Sequence, residues 1–396
     1  MVSTQPILIA GAGIAGLAAA IGLARKGFGV TVLERQPVLT EAGAGIQIGP
    51  NGVKALGCLG VRATVEAVAF RPAGLTIRRG ESGDRLTTLP WGEAANARYG
   101  APFLTLLRTE LQAALLAAAK ATPGLDLVLG FEASAFAISS GGITVQADDG
   151  REISGAALVG ADGLWSRVRA GIGPTEPQPA GYTAFRTAIP RAGLQAPFDA
   201  PEVGLWIGRE AHVVHYPVKG GDLLNIVAVV GGTASSRNWD EHGSSAEIAP
   251  FVATWPECLR ELLRRAPGWR RWTLHDLPVV PRWSGQSRVL IGDAAHPVLP
   301  FLAQGAVMAL EDAVVLAAIV GAAGGLTPDA LRRFESLRRP RALKLTAASR
   351  RNGRIYHLSG PAAAARDLAL HLTPAPLLLR NYGWLYGFDP AAAANQ

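Results

Sequence analysis

Three stretches of the chain carry residue types that bind phosphate or polyol, or that move protons. Gly11-Ala12-Gly13-Ile14-Ala15-Gly16 follows the apolar run Ile7–Ala10 and opens an Ala-rich segment. Gly292-Asp293 ends a second apolar run, with His296, Pro297, Pro300 and Gln304-Gly305 close behind. His212, His215 and Tyr216 lie in the β-type run AHVVHYPV, Ala211–Val218. The first stretch suits a pyrophosphate. Gly11 permits a tight turn, Gly13 lets the backbone come close to phosphate, and Gly16 lets a helix pack on the strand. The N–H groups of Ile14 and Ala15 then stand at the positive end of that helix. Glu34 ends the next strand, 18 residues after Gly16. Its carboxylate can accept both hydroxyls of an adenosine ribose and repels a 2′-phosphate, so FAD or NAD is expected rather than NADP. In the third stretch, alternation puts His212, Val214 and Tyr216 on one face and Val213, His215 and Pro217 on the other. One histidine can therefore face a pocket. Its ordinary pKa, near neutrality, suits it to take a proton at physiological pH.

The elements that must hold these residues follow from composition. A chain of 396 residues, 49% hydrophobic and 17% charged, is globular and long enough for two or more domains. The net charge of +7 is diffuse and gives no nucleic-acid surface. The densest basic run, RRFESLRRPRALK at 332–344, reads as the solvated face of a helix. Cys58 and Cys258 have no metal spacing, which fits a reducing cytoplasm and no metal site. Residues 6–24 are apolar, but four glycines interrupt them, so a strand–turn–helix is expected there and no membrane anchor. A further turn, Asp162-Gly163, joins a strand to a helix start. Three such turns over nearly 300 residues exceed the needs of a simple NAD dehydrogenase and suggest one large cofactor crossed by several segments. Between 176 and 284 the runs GYTAFRTAI, EVGLWIG, AHVVHYPV and LLNIVAVV read as antiparallel strands.

Taken together, GxGxxG with Glu34, GADGLWSRVR (160–169) and GDAAHPVLPFLAQG (292–305) resemble the group A FAD-dependent aromatic hydroxylases. The resemblance also runs through GAGIQIGPN (43–51), LRTEL (107–111), HYPV (215–218) and WLYGFD (384–389), and is nearest the salicylate hydroxylase and 3-hydroxybenzoate 6-hydroxylase branch. It implies an α/β fold, with a Rossmann-like FAD domain at 1–75, 98–175 and 285–345. An antiparallel β-rich substrate domain is inserted at 76–97 and 176–284, and a helical tail covers 346–396. It implies FAD as cofactor, NADH or NADPH as co-substrate, and hydroxylation of a phenolic acid by O2 through a C4a-hydroperoxyflavin.

The site residues follow from the same resemblance. Asp293 is expected on the ribityl chain, beside Gly292. Pro300 stiffens the loop, and Gly305 and Ala306 open a helix towards the flavin pyrimidine. Arg35, Gly45 and Arg108 join the cofactor set, Arg108 near the flavin phosphates. Asp162 is expected near the pyrophosphate, or else as a cap on the helix that follows. His296 is expected to hold the loop. His212 with Tyr216 matches the branch's His-x-x-x-Tyr pair, His212 as base, with Gln47 lining the pocket. Arg186 pairs either a substrate carboxylate or a residue of the other domain. Pro300 stands where the 3-hydroxybenzoate enzymes carry a polar residue, so a salicylate-type pocket fits slightly better. The rival readings are a flavin reductase that does not oxygenate its substrate, and an NAD-binding regulatory protein. Either a monomer or a homodimer is compatible.

Overall fold

The computed structural model describes residues 5–39, 44–139, 141–173, 175–232 and 241–395. Gly43, the first residue of the GAGIQIGPN stretch, lies outside them. Two sheets organise the chain, and the expected α/β architecture is present. The first sheet has the order Ser284–Gly285, Arg288–Leu290, Ala157–Gly160, Ile7–Ala10, Val30–Glu34 and Leu125–Leu129. Its pairs are parallel except the short one between Ser284–Gly285 and Arg288–Leu290. Ile7–Ala10, Val30–Glu34 and Ala157–Gly160 are buried along their whole length. That is why they read as unbroken apolar runs: a parallel strand covered on both faces has no polar side.

Helix Ile14–Ala24 follows the first strand and packs on helix Gly305–Ala323. Gly22 permits the approach, because a Cβ there would stand 2.9 Å from the Ala317 methyl. Gly305–Ala323 is long and apolar enough to cross a membrane, but most of it is buried inside the protein. It is the central core helix.

The second sheet has eight strands, in the order Glu241–Gly243, Trp269–Asp276, Gln178–Pro190, Leu223–Gly231, Ala211–Val218, Val203–Gly208, Gly74–Arg79 and Arg85–Pro90. All pairs are antiparallel except Val203–Gly208 with Gly74–Arg79. One face carries Leu205, Ile207, Tyr216 and Val218 into the same core as the parallel sheet. The other carries Phe185, Trp206, Val213 and Ile226 against Leu259, Leu262 and Leu263 of helix Glu257–Arg265.

Helix Pro328–Tyr356 runs unbroken through the expected boundary at 345/346, and helices Gly360–Leu372, Ala375–Asn381, Gly383–Tyr386 and Pro390–Ala394 complete the C-terminal region. The solvated face expected at 332–344 is corrected here. Arg332, Arg333 and Lys344 face outwards, but Arg338 is fully buried and Arg341 nearly so. The physical reason lies on the core helix. Glu311 and Asp312 are buried in its apolar length and need cations beside them.

Candidate active site

At the first turn, Gly11 has a φ of +100°, and a Cβ there would stand 2.6 Å from the Ala161 carbonyl oxygen. A Cβ on Gly16 would stand 1.8 Å from the Gly11 carbonyl oxygen, whereas one on Gly13 would meet nothing within 4 Å. Two of the glycines close the turn and the third leaves room for a ligand. Helix Ile14–Ala24 has no side-chain cap and no acid in its first turn, so the N–H groups about Ile14 and Ala15 face that space. Glu34 is buried and accepts from the Ala12 N–H at 2.7 Å and the Gln36 N–H at 2.9 Å, which holds its carboxylate beside the turn. Arg35 is exposed just past the strand. Asp162 abuts Gly11 through its backbone, but its carboxylate is committed elsewhere. It accepts from the Ser166 hydroxyl at 2.6 Å and from the N–H groups of Arg167 and Val168 at 2.8 and 3.1 Å. Of the two expected roles, the side chain performs the cap.

The second turn hangs from the core helix. Gly292, at φ +57°, donates its N–H to Asp312 at 2.9 Å, and His296 Nε2 lies 2.6 Å from the same oxygen. The other Asp312 oxygen accepts from Arg338 Nε at 2.7 Å. Burial pushes the Asp312 carboxyl up, but His296 and Arg338 overrule it and it rests at about 2. Glu311 accepts from Arg338, Arg341 and Asn51, and Asn51 also donates to Gln304 at 2.9 Å. His296 therefore holds the loop, as expected. This network fixes the loop from Gly292 to Gln304 on the core helix.

Asp293, which the network leaves alone, makes no hydrogen bond to the protein among the described residues. It is exposed to solvent. Desolvation by the surrounding protein raises its pKa, opposed by the charges of Arg108 and His296 and reinforced by Asp312. Arg108, near enough to act on that acid, starts helix Arg108–Lys120. Pro300 lies exposed in the turn Pro300–Leu302, and the core helix starts at Gly305-Ala306 without a side-chain cap. A Cβ on Gly305 would meet nothing within 4 Å. Two uncapped helix starts, an acid that makes no hydrogen bond among the described residues and two open glycine positions are the kind of lining that FAD needs.

Strand Ala211–Val218 distributes its side chains as the alternation requires. His215 lies on the far face, where its Nε2 accepts from Trp206 Nε1 at 3.2 Å and Phe198 stands edge-on at 5.1 Å. Burial, then Arg78, holds it at about 3. His212, Val214 and Tyr216 lie on the near face. Tyr216 is hydrogen-bonded to Gln47; burial raises its pKa, with Gln47 and Arg186 opposing. The register Val214–Val227–Arg186 puts Arg186 on that same face, its guanidinium 4.6 Å from the Trp272 ring centroid. Gln47 belongs to strand Gly45–Ile48, paired with Leu104–Leu107. This strand pair is pinned to the substrate sheet by Thr105 Oγ1, which donates to the Pro217 carbonyl at 2.5 Å, and by the Gly45 N–H, which donates to Asn225 at 2.7 Å. His212 is 4% exposed and stands 5.5 Å from the rings of Phe301 and Tyr356. Its Nδ1 lies 2.9 Å from Nε2 of His357. An open cleft of about 580 Å³ borders this group, lined by Tyr182, Leu299, Phe301, Asp276, Arg350 and Arg354.

Sequence reasoning named His212, Tyr216, Gln47 and Arg186; the fold brings His212, Tyr216 and Arg186 to one face of the sheet, with Gln47 hydrogen-bonded to Tyr216. It missed Asn225, Asp312, Arg338 and His357. The adjacent acids Glu311-Asp312 inside an apolar run were a usable signal for the network. A single Asn in LLNIVAVV was a weaker one, and nothing marked His357.

A parallel α/β sheet with two cofactor turns, covered by an antiparallel sheet bearing a His–Tyr face, defines a dinucleotide-dependent redox enzyme. The FAD binding domain family matches residues 4–349, and the chain belongs to that family. It is an FAD-dependent aromatic monooxygenase by kinship. The chain is 36% identical to a 3-amino-4-hydroxybenzoate 2-monooxygenase of Streptomyces platensis, covering 98% of each chain. It is 35% identical to a 3-hydroxybenzoate 6-hydroxylase of Aquipseudomonas alcaligenes, covering 96% of this chain and 97% of the relative. A salicylate hydroxylase substrate complex superimposes with a TM-score of 0.82 at 25% identity, covering 99% of this chain and 98% of the other.

Proposed function

We propose that the protein hydroxylates a phenolic aromatic acid of the salicylate or hydroxybenzoate type, using O2 and NADH or NADPH. The observation that carries this reading is the meeting of two distant segments. The flavin loop carries Phe301, and His212 of the substrate sheet stands 5.5 Å from that ring. Residues 76–97 and 176–284 supply the substrate side, and 1–75, 98–175 and 285–345 hold FAD. Glu34 binds the adenosine ribose, the turn from Gly11 to Gly16 the pyrophosphate, and Asp293 the ribityl chain, with Arg108 opposite. Bound FAD supplies the activation of O2 at the expense of the nicotinamide. The chain's own residues prepare the ring. Arg186 orients the substrate carboxylate on the near face, Tyr216 and Gln47 fix the ring's edge, and His212 takes the phenol proton, which enriches the ortho and para carbons. The apolar wall of Leu299 and Phe301 excludes water. One oxygen atom enters the ring and the other leaves as water. We place the protein in the cytoplasm, as a monomer or homodimer with neither nucleic-acid nor membrane partner.

The test is turnover of the FAD-loaded protein with salicylate, 3-hydroxybenzoate and 3-amino-4-hydroxybenzoate under ¹⁸O2. One labelled atom per product, with one NAD(P)H oxidised, is expected from at least one of them. Nicotinamide oxidation that no phenolic acid stimulates, and no label in any product, would mark a reductase instead. Asp293→Ala is expected to purify with less FAD at unchanged protein yield. Full flavin occupancy at unchanged affinity would remove Asp293 from the ribityl site.

A further inference from the structure

We propose that His357, which closes the long helix Pro328–Tyr356, is a positioning residue: its Nε2 accepts the Nδ1–H of His212 and so leaves His212 Nε2 as the proton acceptor for substrate. The inference rests on His212 as the base. The distance is 2.9 Å, and the two rings lie 5.1 Å apart at 34°. A neutral imidazole has one donor and one acceptor, so the bond can run in one of two directions. If His357 donates, His212 carries its hydrogen on Nε2 and can only donate towards a substrate. If His212 donates, its Nε2 keeps the lone pair and can accept a phenol proton. The partner of one ring nitrogen thus decides what the other can do.

Two features leave the productive direction open and keep the pair neutral. His357 is anchored by its backbone, whose N–H donates to the Gly353 carbonyl, and by Tyr182, which lies against its ring at 5.1 Å. Its own Nδ1 is buried with no partner among the described residues, so no donor claims a lone pair there and the ring is free to carry its hydrogen on Nδ1 and accept from His212 through Nε2. The groups facing the pair disfavour an imidazolium. Phe301 and Tyr356 pack on His212, and Arg366, from the following helix, donates to the Ile355 and Tyr356 carbonyls just before His357. Asp367 is already taken by Arg366 and by Arg79 of the substrate sheet. Burial, then Arg366, keeps His357 neutral down to about 4, and burial, then His357, holds His212 well below the ordinary imidazole range. Both rings are therefore uncharged near neutral pH, as a free lone pair on His212 Nε2 requires. The residue comes from the C-terminal helices, outside both sheets. Those helices accordingly complete the base rather than merely cover it.

The direct test is ¹⁵N NMR of histidine-labelled holoenzyme. His212 should show a protonated Nδ1 and a lone pair on Nε2; the reverse tautomer would overturn the proposal without any substitution. The second test uses His357→Leu and His357→Gln, with FAD content and melting temperature measured alongside. Leucine removes the acceptor, whereas the glutamine amide oxygen restores one. His357→Leu should lower kcat by roughly 10–100-fold and raise the pH at which bound 3-hydroxybenzoate ionises, read by ultraviolet difference absorbance. His357→Gln should recover most of both. Equal impairment in both variants with an unshifted ionisation would mean a packing role only and overturn the proposal. So would a His357→Leu enzyme that matches the parent while His212→Ala is crippled. If His212→Ala itself retains activity, the base reading fails first, and the two failures are told apart.

Discussion

The two faces of strand Ala211–Val218 each bury a histidine, three residues apart, and they make opposite use of it. His215 is sealed between Trp206 and Phe198, with its one acceptor spent on an indole N–H. His212 is sealed to nearly the same degree, yet its Nδ1 meets a second imidazole and its surroundings border the open cleft. Burial depresses both, so burial alone does not mark a base. What separates them is their neighbours: an indole and a phenyl ring around His215, a second imidazole and the cleft-lining Phe301 beside His212.

The sharpest way to break this comparison is to remove each ring in turn. His212→Ala should lower hydroxylation by roughly 10²–10⁴-fold with FAD retained, and should alter the acid limb of the rate profile. His215→Ala should leave kcat within a few-fold. It should cost about 1–3 kcal/mol in a denaturant melt, because Trp206 Nε1 loses its acceptor. The reverse ranking would put the site on the wrong face.

A second contrast sets His212 against His296, which is buried in an ionic network rather than beside a cleft. Arg338→Ala strands Glu311 and Asp312 without their shared cation, and a loss of about 3–5 kcal/mol is expected in equilibrium unfolding. The Gly292 loop hangs from Asp312, so FAD release should also quicken. A melt unchanged from the parent would show that the network does not hold the loop.

Acid should act on the two strand histidines together. Their pKa values are depressed in the folded chain, so the unfolded chain binds more protons once the pH falls below about 6.5. Stability is thus full above that pH and declines below it, by about 4 kcal/mol per pH unit once the proton of His357, likewise depressed, is counted with these two. Denaturation midpoints at pH 7, 6 and 5 measure the slope, and His215→Phe should remove about a third of it. A flat response in the parent would mean that neither ring is held neutral by the fold.

The smallest effect is expected where the strand pair Gly45–Ile48 with Leu104–Leu107 meets the substrate sheet. A Cβ on Gly45 would stand 2.5 Å from the Asn225 side chain. Gly45→Ala should cost about 1–3 kcal/mol through that clash. It should be milder in an Asn225→Ala background, and a double-mutant cycle reads the coupling.

Much of the cofactor side was legible because it depends on local backbone chemistry. A turn that must reach φ +100° needs Gly11, a helix that lies on its own strand needs Gly16, and strands covered on both faces must be apolar throughout. The faces of Ala211–Val218 were legible for the same reason, since the period of two is a property of the extended chain. The identity of the partners was not. Arg338 read as one of several surface cations until the packing of two helices put buried acids beside it. Asp162 carried two roles that only the helix after it could separate. His357 reaches His212 across 145 residues. A local pattern fixes which way a side chain points along its own strand or helix. What it meets there is set by how the elements pack, and that depends on the summed burial of residues distant in the chain.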